Sequence, residues 1–335
     1  MRDPIRTAGR RTIRRPSRGP LRRPGRTARA LATTALAGLV LAACGGGDAD
    51  DAAGVVSIAA NPWPGSYANA YVAAEVLSRE LGLEVRIVEI DENAQWAGLD
   101  DGSIDAALEI WPSGHADNVA TYIDELGTVE HGGALGALGQ IGWFTPTSVI
   151  DANPAFASWQ GLLGSESVFA TTETRASGRF LAADPSFVQF DEAIIANLGL
   201  DLVVVQSGSE AAQLATVEAA IARDEPVLFY FYTPHWLHAR YDLTMVELPE
   251  GTEECEALPA ADRDCGYPED VLFKAFHAGL VQRLPQAHAI LSAMRLTNAD
   301  QDAITFAMDV EGQDAQDAAR AWVDANEAVW RAWLS

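Results

Sequence analysis

A seven-residue stretch with the sequence EIWPSGH, at positions 109–115, places an indole and an imidazole four residues apart. It follows the apolar, strand-like run at 104–110, and the three residues between the rings favour a tight turn rather than a helix. The face of Trp111 attracts a cation that has no proton to donate, and the N–H of His115 binds a carboxylate. These two properties suit the two ends of a small betaine.

The elements around this stretch predict a parallel sheet. Strand-like runs alternate with helical patterns in the order 55–60, 67–81, 85–90, 93–99 and 104–110. Such alternation is typical of an α/β fold with helical crossovers between strands. Ligands of these sheets bind beyond the carboxyl ends of the strands, where Trp63 and Trp111 both lie, although core packing is the alternative for each.

A second set of such patterns follows. Strand-like runs lie at 140–149, 168–172, 202–206 and 227–232, with helical patterns at 191–198 and 209–223 between them. Trp143 lies in the first of these runs, and Tyr232 ends the last. A polar segment at 173–178 is interpreted as a turn whose N–H groups face an anion, and there Arg175 either binds a carboxylate or lies in solvent. The chain from residue 271 onwards is predicted to be helical, and its first helix is expected over 271–280.

The charge distribution excludes one class of partner. Eleven of the 23 basic residues but only one of the 47 acidic residues precede Cys44, which leaves 12 basic against 46 acidic side chains in the rest. Nucleic-acid binding needs a basic face, so we exclude it. With 335 residues and 48% hydrophobic content, the chain is globular and long enough for two domains.

The first 43 residues have the features of an export signal. An Arg-, Pro- and Gly-rich segment at 1–29 precedes an apolar run at 30–43, which is too short for a stable membrane span. The run ends in Leu-Ala-Ala-Cys, which resembles the bacterial lipobox, where the cysteine becomes the lipidated first residue. We therefore predict a signal peptide over 1–43, a flexible tether over 44–54, and a cell-membrane anchor through Cys44 on the extracytoplasmic face.

Export also sets the redox environment of the other two cysteines. Cys255 and Cys265 are ten residues apart in a polar, loop-like stretch. Outside the cytoplasm this spacing favours a disulfide over a metal site, and two free thiols are the alternative.

Several further motifs occur in a fixed order along the chain. They are NPW at 61–63, GSID at 102–105, WPSGH at 111–115, QIGWFTP at 140–146, EPVLFY at 225–230, YTPHW at 232–236 and CGYP at 265–268. Together they resemble the substrate-binding proteins of glycine betaine/proline-type ABC importers, from about residue 55 to the C-terminus. The resemblance implies a two-lobe α/β fold of the periplasmic-binding-protein type (type II), which closes on its ligand around a hinge.

The resemblance also implies where the lobes lie. The chain is expected to cross between them near Gln140 and near Tyr267. This assigns residues 55–140 plus 268–335 to lobe one and residues 141–267 to lobe two, with the ligand cleft between the lobes.

Members of this family enclose a trimethylammonium group in aromatic side chains, and they hold a carboxylate with a His and backbone N–H groups. By position, Trp111 matches a cage aromatic, His115 matches the carboxylate-binding His, and Tyr232 lies where many members have Trp. The predicted ligand-binding set is completed by Trp63, Trp143 and Arg175, and no metal or cofactor is expected. One departure leaves the exact ligand open, because the segment TETRAS at 172–177 has no aromatic residue where the family often has one.

The expected function is capture of glycine betaine or a related quaternary ammonium solute and its delivery to the permease and ATPase of an ABC importer. Choline, carnitine and proline remain alternative ligands, and a ligand sensor of the same fold is an alternative role. An exported enzyme is disfavoured, because the chain contains no Gly-x-Ser-x-Gly and no His-Glu-x-x-His motif.

Overall fold

A computed structural model describes residues 54–335. The predictions for the signal peptide, the tether and Cys44 fall outside these residues, apart from Gly54. The strands are β1 (Val55–Ala60), β2 (Glu84–Glu89), β3 (Ala106–Ile110), β4 (Val129–Pro146), β5 (Gly178–Ala182), β6 (Leu202–Gln206), β7 (Leu228–Thr233), β8 (Leu243–Val246) and β9 (Glu269–His277).

Most helices of the described residues lie between strands in the sequence, and the last five follow β9. The helices are α1 (Pro64–Leu81), α2 (Gln95–Asp101), α3 (Pro112–Asn118), α4 (Thr147–Ala152), α5 (Trp159–Leu162), α6 (Asp191–Leu198), α7 (Glu210–Ala222), α8 (Leu237–Arg240), α9 (Glu253–Glu256), α10 (Leu280–Arg283), α11 (Pro285–Ala293), α12 (Asn298–Asp309), α13 (Ala315–Ala325) and α14 (Glu327–Trp330). In the described part of the chain, none of these helices combines the length and apolar character needed to cross a bilayer.

The strands form one sheet with the order β2-β1-β3-β9-β4-β7-β5-β6, and β8 pairs with β4. Strands β1, β2 and β3 are parallel to one another, as are β5, β6 and β7. The antiparallel strands β9 and β4 lie between these two parallel groups. The first parallel group was predicted from the alternation of strand and helix patterns. In the second group the strand expected at 168–172 is wrong: Glu166–Phe169 form a 3₁₀ helix, and the strand is β5 at Gly178–Ala182.

Strand β4 is 18 residues long and changes its pairing partner along its length. Up to Gln140 it pairs with β9, and from Gln140 onwards it pairs with β7. The side-chain Nε2 of Gln140 donates a hydrogen bond to the carbonyl oxygen of Tyr267 at 3.0 Å. The two segments at which a crossing between lobes is expected are therefore in direct contact.

The helix predicted over 271–280 is wrong, because β9 occupies most of this range. A short apolar run does not distinguish a buried helix from a buried strand by periodicity alone. Here pairing on both sides decides the outcome: Phe273 faces Ile110 on β3 and Ala134 on β4. Lys274 is buried in this strand, and its ammonium donates to the carbonyl oxygens of Leu291, Ser292 and Met294 at 2.9, 2.9 and 2.7 Å.

The tight turn predicted after Trp111 is also wrong, because helix α3 begins there. Trp111 is the N-cap, and Pro112 occupies the first turn, where its missing N–H leaves no hydrogen bond unmade. Asp270 caps this helix from β9, since its Oδ1 accepts from the Ser113 N–H at 3.0 Å. His115 has a φ of −124° and interrupts the helical geometry.

The C-terminal helices complete the core. Helix α1 packs against α12 and α13 and ends at Gly82, whose φ of 64° is left-handed and favours glycine. Trp322, Trp330 and Trp333 are buried in this layer. A disulfide joins Cys255 to Cys265 with a Cα–Cα distance of 6.4 Å.

Candidate ligand-binding site

A cleft lies beyond the carboxyl ends of β1, β2, β3 and β5 and beside β7. Most of its wall is aromatic: Trp63, Trp111, Phe187, Phe190, Tyr230, Tyr232 and Tyr267. Of the six predicted ligand-binding residues, Trp63, Trp111 and Tyr232 line this cleft. The other three, His115, Trp143 and Arg175, do not line it.

A buried carboxylate holds the two indoles in place. Trp63 Nε1 and Trp111 Nε1 donate to the same oxygen, Oε1 of Glu109, at 2.8 and 3.0 Å. The other oxygen accepts from Asn69 at 2.5 Å and from Gln301 at 3.2 Å. Burial raises the pKa of Glu109 to about 7, although the hydrogen bonds act in the opposite direction.

Trp111 is also fixed at its six-membered ring. A Cβ on Gly139 of β4 would lie 2.3 Å from Cζ3 of this ring, so the indole packs directly on the glycine backbone. Tyr232 meets Trp111 edge to face, with the ring centroids 5.7 Å apart. The two rings thus form adjoining walls of the cleft, and only glycine at position 139 leaves room for this arrangement.

The hydroxyl of Tyr232 is bound to a second carboxylate outside the cleft. It donates to Glu210 Oε2 at 2.7 Å, and Glu210 Oε1 lies 3.2 Å from His235 Nε2. Glu210, His235 and Asp309 form the one cluster within 54–335 whose His and carboxylate atoms lie close enough to hold a metal ion. However, the Leu237 N–H donates to His235 Nδ1, which puts the ring proton on Nε2 and makes Nε2 a donor to Glu210. The cluster is therefore satisfied by its own hydrogen bonds.

His115 lies behind the cleft rather than in its wall. It is 1% exposed, and its Nδ1 accepts from the indole N–H of Trp96 at 3.3 Å. The ring proton is therefore on Nε2, which donates to Glu92 Oε2 at 2.9 Å. This N–H already donates to Glu92 and is not available to a ligand. The polar group that lines the cleft at this place is the carboxylate of Glu92.

Glu92 joins the two sides of the cleft. It follows β2, and its Oε1 accepts from the backbone N–H of Val188, which follows β5, at 2.5 Å. Beside it, Trp63 and Phe187 are in edge-to-face contact at 5.4 Å. Backbone, carboxylate and ring contacts thus close one side of the cleft.

The remaining two predicted residues lie elsewhere. Trp143 is fully buried in the sheet, packs beside Phe180 and donates its indole N–H to Asp191 at 2.6 Å. Arg175 is exposed on a turn and has a left-handed φ of 62°. The loop at 172–177 therefore contributes neither an aromatic nor a cation to the cleft wall.

The sequence did not predict the aromatic residues that line the cleft where the loop at 172–177 was expected to contribute. Phe187 and Phe190 come from the segment after β5, where the pattern contained no recognisable motif. Tyr230 was detectable, because residues two apart on a strand share a face and Tyr232 had already been selected. Glu92 had no sequence signal beyond its place after a strand end.

The charge in the cleft wall is negative. Glu92 lines it, Glu109 lies directly behind it, and no Arg or Lys of the described range 54–335 is among its lining residues. Tyr230 also lines the cleft, and its hydroxyl forms no hydrogen bond with another group of the described residues. Aromatic faces, acidic groups and one open hydroxyl together favour a small, methylated cation that carries a polar atom.

The chain resembles known binding proteins over most of its length. Residues 54–325 match the family described as the substrate binding domain of ABC-type glycine betaine transport systems. The trimethylamine N-oxide-binding protein of Pelagibacter ubique strain HTCC1062 is 24% identical over 300 residues, which cover 87% of this chain and 94% of that protein.

Two solved structures show the same fold. Lactococcal OpuAC, in a closed conformation with glycine betaine, superposes with a TM-score of 0.66 at 18% identity, covering 84% of this chain and 99% of that one. An ABC-transporter choline-binding protein in complex with choline gives 0.69 at 18% identity, covering 85% and 92%. These neighbours confirm the predicted two-lobe α/β fold of the periplasmic-binding-protein type.

The family match covers the whole of the described sheet and the cleft. Its members bind solutes for transport and do not catalyse a reaction on them. The chain therefore belongs to the family of substrate-binding domains of ABC-type glycine betaine transport systems, and it is a solute-binding protein rather than an enzyme.

Proposed function

We propose that this protein captures a small solute with a methylated ammonium group in the cleft and delivers it to the permease and ATPase of an ABC importer. The observation that carries the proposal is the convergence of Trp63, Trp111 and Tyr232 on one cleft with acidic groups beside it. A quaternary ammonium has no hydrogen to donate, so aromatic faces are its best neutral partners, and each contributes about 2 kcal/mol when dry. Two or three such rings are compatible with a micromolar dissociation constant, about −8 kcal/mol, after ordering costs.

Glycine betaine is the ligand predicted from the sequence, with choline, carnitine and proline as alternatives. The cleft favours ligands without a carboxylate, because Glu92 lines it and His115 uses its N–H on Glu92. A betaine carboxylate placed beside Glu92 is repelled, whereas choline or trimethylamine N-oxide presents no anionic carboxylate. A relative that binds trimethylamine N-oxide supports this choice.

We further propose that ligand capture closes two lobes, 55–140 plus 268–335 and 141–267. The change of pairing partner at Gln140 and its contact with Tyr267 support a hinge at these two crossings. The bond from Val188 to Glu92 joins the two proposed lobes across the cleft. The state that binds ligand better is the closed one, and it is this state that docks on the permease.

We also propose that the mature protein begins at Cys44 and is held on the extracytoplasmic face by lipid on that cysteine. The support is the order of basic segment, apolar run and lipobox-like ending in the sequence. Replacing Cys44 by Ala should release the protein from the membrane fraction of cells. If the variant fractionates as the parent does, the anchor proposal is wrong.

Calorimetric titration of residues 54–335 with choline, trimethylamine N-oxide, glycine betaine, carnitine and proline tests the ligand proposal. We expect choline and trimethylamine N-oxide to bind more tightly than glycine betaine, and proline to bind weakly. If none of these five compounds binds, the ligand proposal is wrong. A role as a sensor rather than a transport component remains the alternative, and uptake assays with the permease and ATPase present separate the two roles.

A further inference from the structure

Glu109 differs from the other carboxylates near the cleft in what surrounds it. It is 2% exposed, and the hydrogen-bond partners of its carboxylate are all uncharged donors. The groups packed around it are Trp63, Asn69 of α1, Trp111, Gln301 of α12 and Tyr232 of β7. Of these only Tyr232 titrates, and burial together with Glu210 raises its pKa well above 10.

A carboxylate in this position is costly for the protein without ligand. Burying an anion without a cationic partner is unfavourable, and a glutamine side chain would accept from both indoles without carrying the charge. Hydrogen bonding to the indoles therefore accounts for a polar group at position 109 but not for an ionisable one. The charge itself needs a counterpart, which the described part of the chain does not supply at this place.

We propose that Glu109 is a positioning residue for the bound cation, which fixes both indoles by their N–H groups and provides, behind the rings, the negative charge that the ligand balances. This inference rests on the proposed function, because it requires a cationic group in the cleft. The carboxylate lies at the N–H edges of Trp63 and Trp111, so it leaves the ring faces free for the ligand. Polarising an indole through its N–H also strengthens the negative face that the cation meets.

The test compares the parent protein with Glu109→Gln, using choline chloride as the probe. The substituted amide keeps an oxygen for both indoles, and turning the Asn69 and Gln301 amides provides acceptors for its NH₂ group. The variant therefore removes the charge and retains the support of the rings. Glu166→Gln is the matched control, because Glu166 is a buried carboxylate that accepts from the Asp201 N–H at 3.2 Å and does not line the cleft.

We expect choline affinity at pH 8 to fall on the order of tenfold in Glu109→Gln and to stay within about twofold in Glu166→Gln. A second readout is proton release: at pH 7 the parent should release protons when choline binds, since the cation favours the ionised carboxylate. Calorimetry in two buffers with different ionisation enthalpies measures this release, and Glu109→Gln should abolish it. If Glu109 only supports the packing of the rings, Glu109→Gln should release as many protons on choline binding as the parent does.

Parent-like choline affinity and proton release in Glu109→Gln would overturn the inference and leave the proposed function intact. If the parent binds no methylated ammonium compound, both are overturned. If Glu109→Gln is poorly folded, Glu109→Asp provides the answer, because it keeps the charge and withdraws it from the rings. That variant should retain proton release while affinity falls, and loss of proton release in Glu109→Asp would contradict the inference.

Discussion

Trp111 donates its indole N–H to Glu109 Oε1 at 3.0 Å, although the two residues are only two positions apart in sequence. Residues with this spacing share one face of a strand, so the Glu-x-Trp sequence at the end of β3 places ring and carboxylate together without help from the rest of the fold. The second indole, on Trp63, reaches the same oxygen from the end of β1. The parallel pairing of β1 with β3 brings these two strand ends to one edge of the sheet.

Trp111→Ala should weaken binding of choline at least about tenfold, because it removes a cage face and leaves Glu109 with an unused acceptor. Calorimetric titration measures the change. Trp333→Ala is the matched control, since Trp333 stacks on Trp322 with a centroid distance of 6.2 Å and does not line the cleft. Equal affinities in Trp111→Ala and the parent protein would show that the cage assignment is wrong.

His115→Ala should change the affinities for glycine betaine and choline by similar factors. By resemblance His115 was matched to the residue that binds the ligand carboxylate, which would imply a selective loss of glycine betaine, but the N–H of His115 is donated to Glu92. His115 does not line the cleft, so its removal withdraws no contact from either ligand and leaves the Glu92 carboxylate in the wall. A loss confined to glycine betaine would show that His115 reaches the ligand carboxylate after all.

Glu92→Gln should reverse ligand preference. Choline should bind on the order of tenfold more weakly when the charge is lost. Glycine betaine should bind as well as before or better, because its carboxylate no longer meets an anion. The ratio of the two affinities cancels any common effect of the altered Val188 contact. An unchanged ratio would exclude Glu92 from ligand selection.

Tyr230→Phe should lower the affinity for trimethylamine N-oxide about fivefold, which is the effect of one lost hydrogen bond. Tyr230 lines the cleft and its hydroxyl has no hydrogen-bond partner among residues 54–335, so we expect it to donate to an oxygen on the ligand. Tetramethylammonium, which has the same cationic group without the oxygen, is the internal control and should be unaffected. Equal losses for the two ligands would mean that the hydroxyl only shapes the wall.

Stability without ligand should fall as the pH rises from about 5 to about 7. Burial raises the pKa of Glu109 from 4.5 to about 7 and that of Asp191 from 3.8 to about 7. The folded state therefore holds protons that the unfolded state has released, and this stabilisation is lost as the pH rises through the folded-state pKa. Urea titrations at several pH values measure it, and Glu109→Gln should flatten the slope. Lys274, whose pKa is lowered to about 7, adds the opposite slope only above pH 7.

An unfolding free energy that rises between pH 5 and pH 7 would contradict these ionisation states. Asp191→Asn provides a second variant, because Asp191 accepts from Trp143 within the sheet. It should flatten the same part of the curve. The two variants together separate the contributions of the two buried carboxylates.

The sequence predicted the first parallel group of strands because local periodicity determines it, and it predicted Trp63 and Trp111 because both follow strand ends. In the second group it placed a strand at 168–172 instead of β5. It failed where long-range contacts decide. Strand β9 was predicted to be a helix, since its pattern is ambiguous until β3 and β4 are beside it. His115 was placed in the cleft because the helix start at Pro112 was not recognised. Glu92 and Phe187 were missed because each depends on a contact from a distant part of the chain.

The central claim is that the cleft recognises positive charge and not only shape. Calorimetric titration of the parent protein with choline and with 3,3-dimethylbutan-1-ol tests it directly, because the second compound replaces the charged nitrogen by carbon and keeps the shape. We predict that choline binds at least about tenfold more tightly, the contribution of the aromatic faces and of the buried charge of Glu109. Equal affinity for the two compounds would contradict the account.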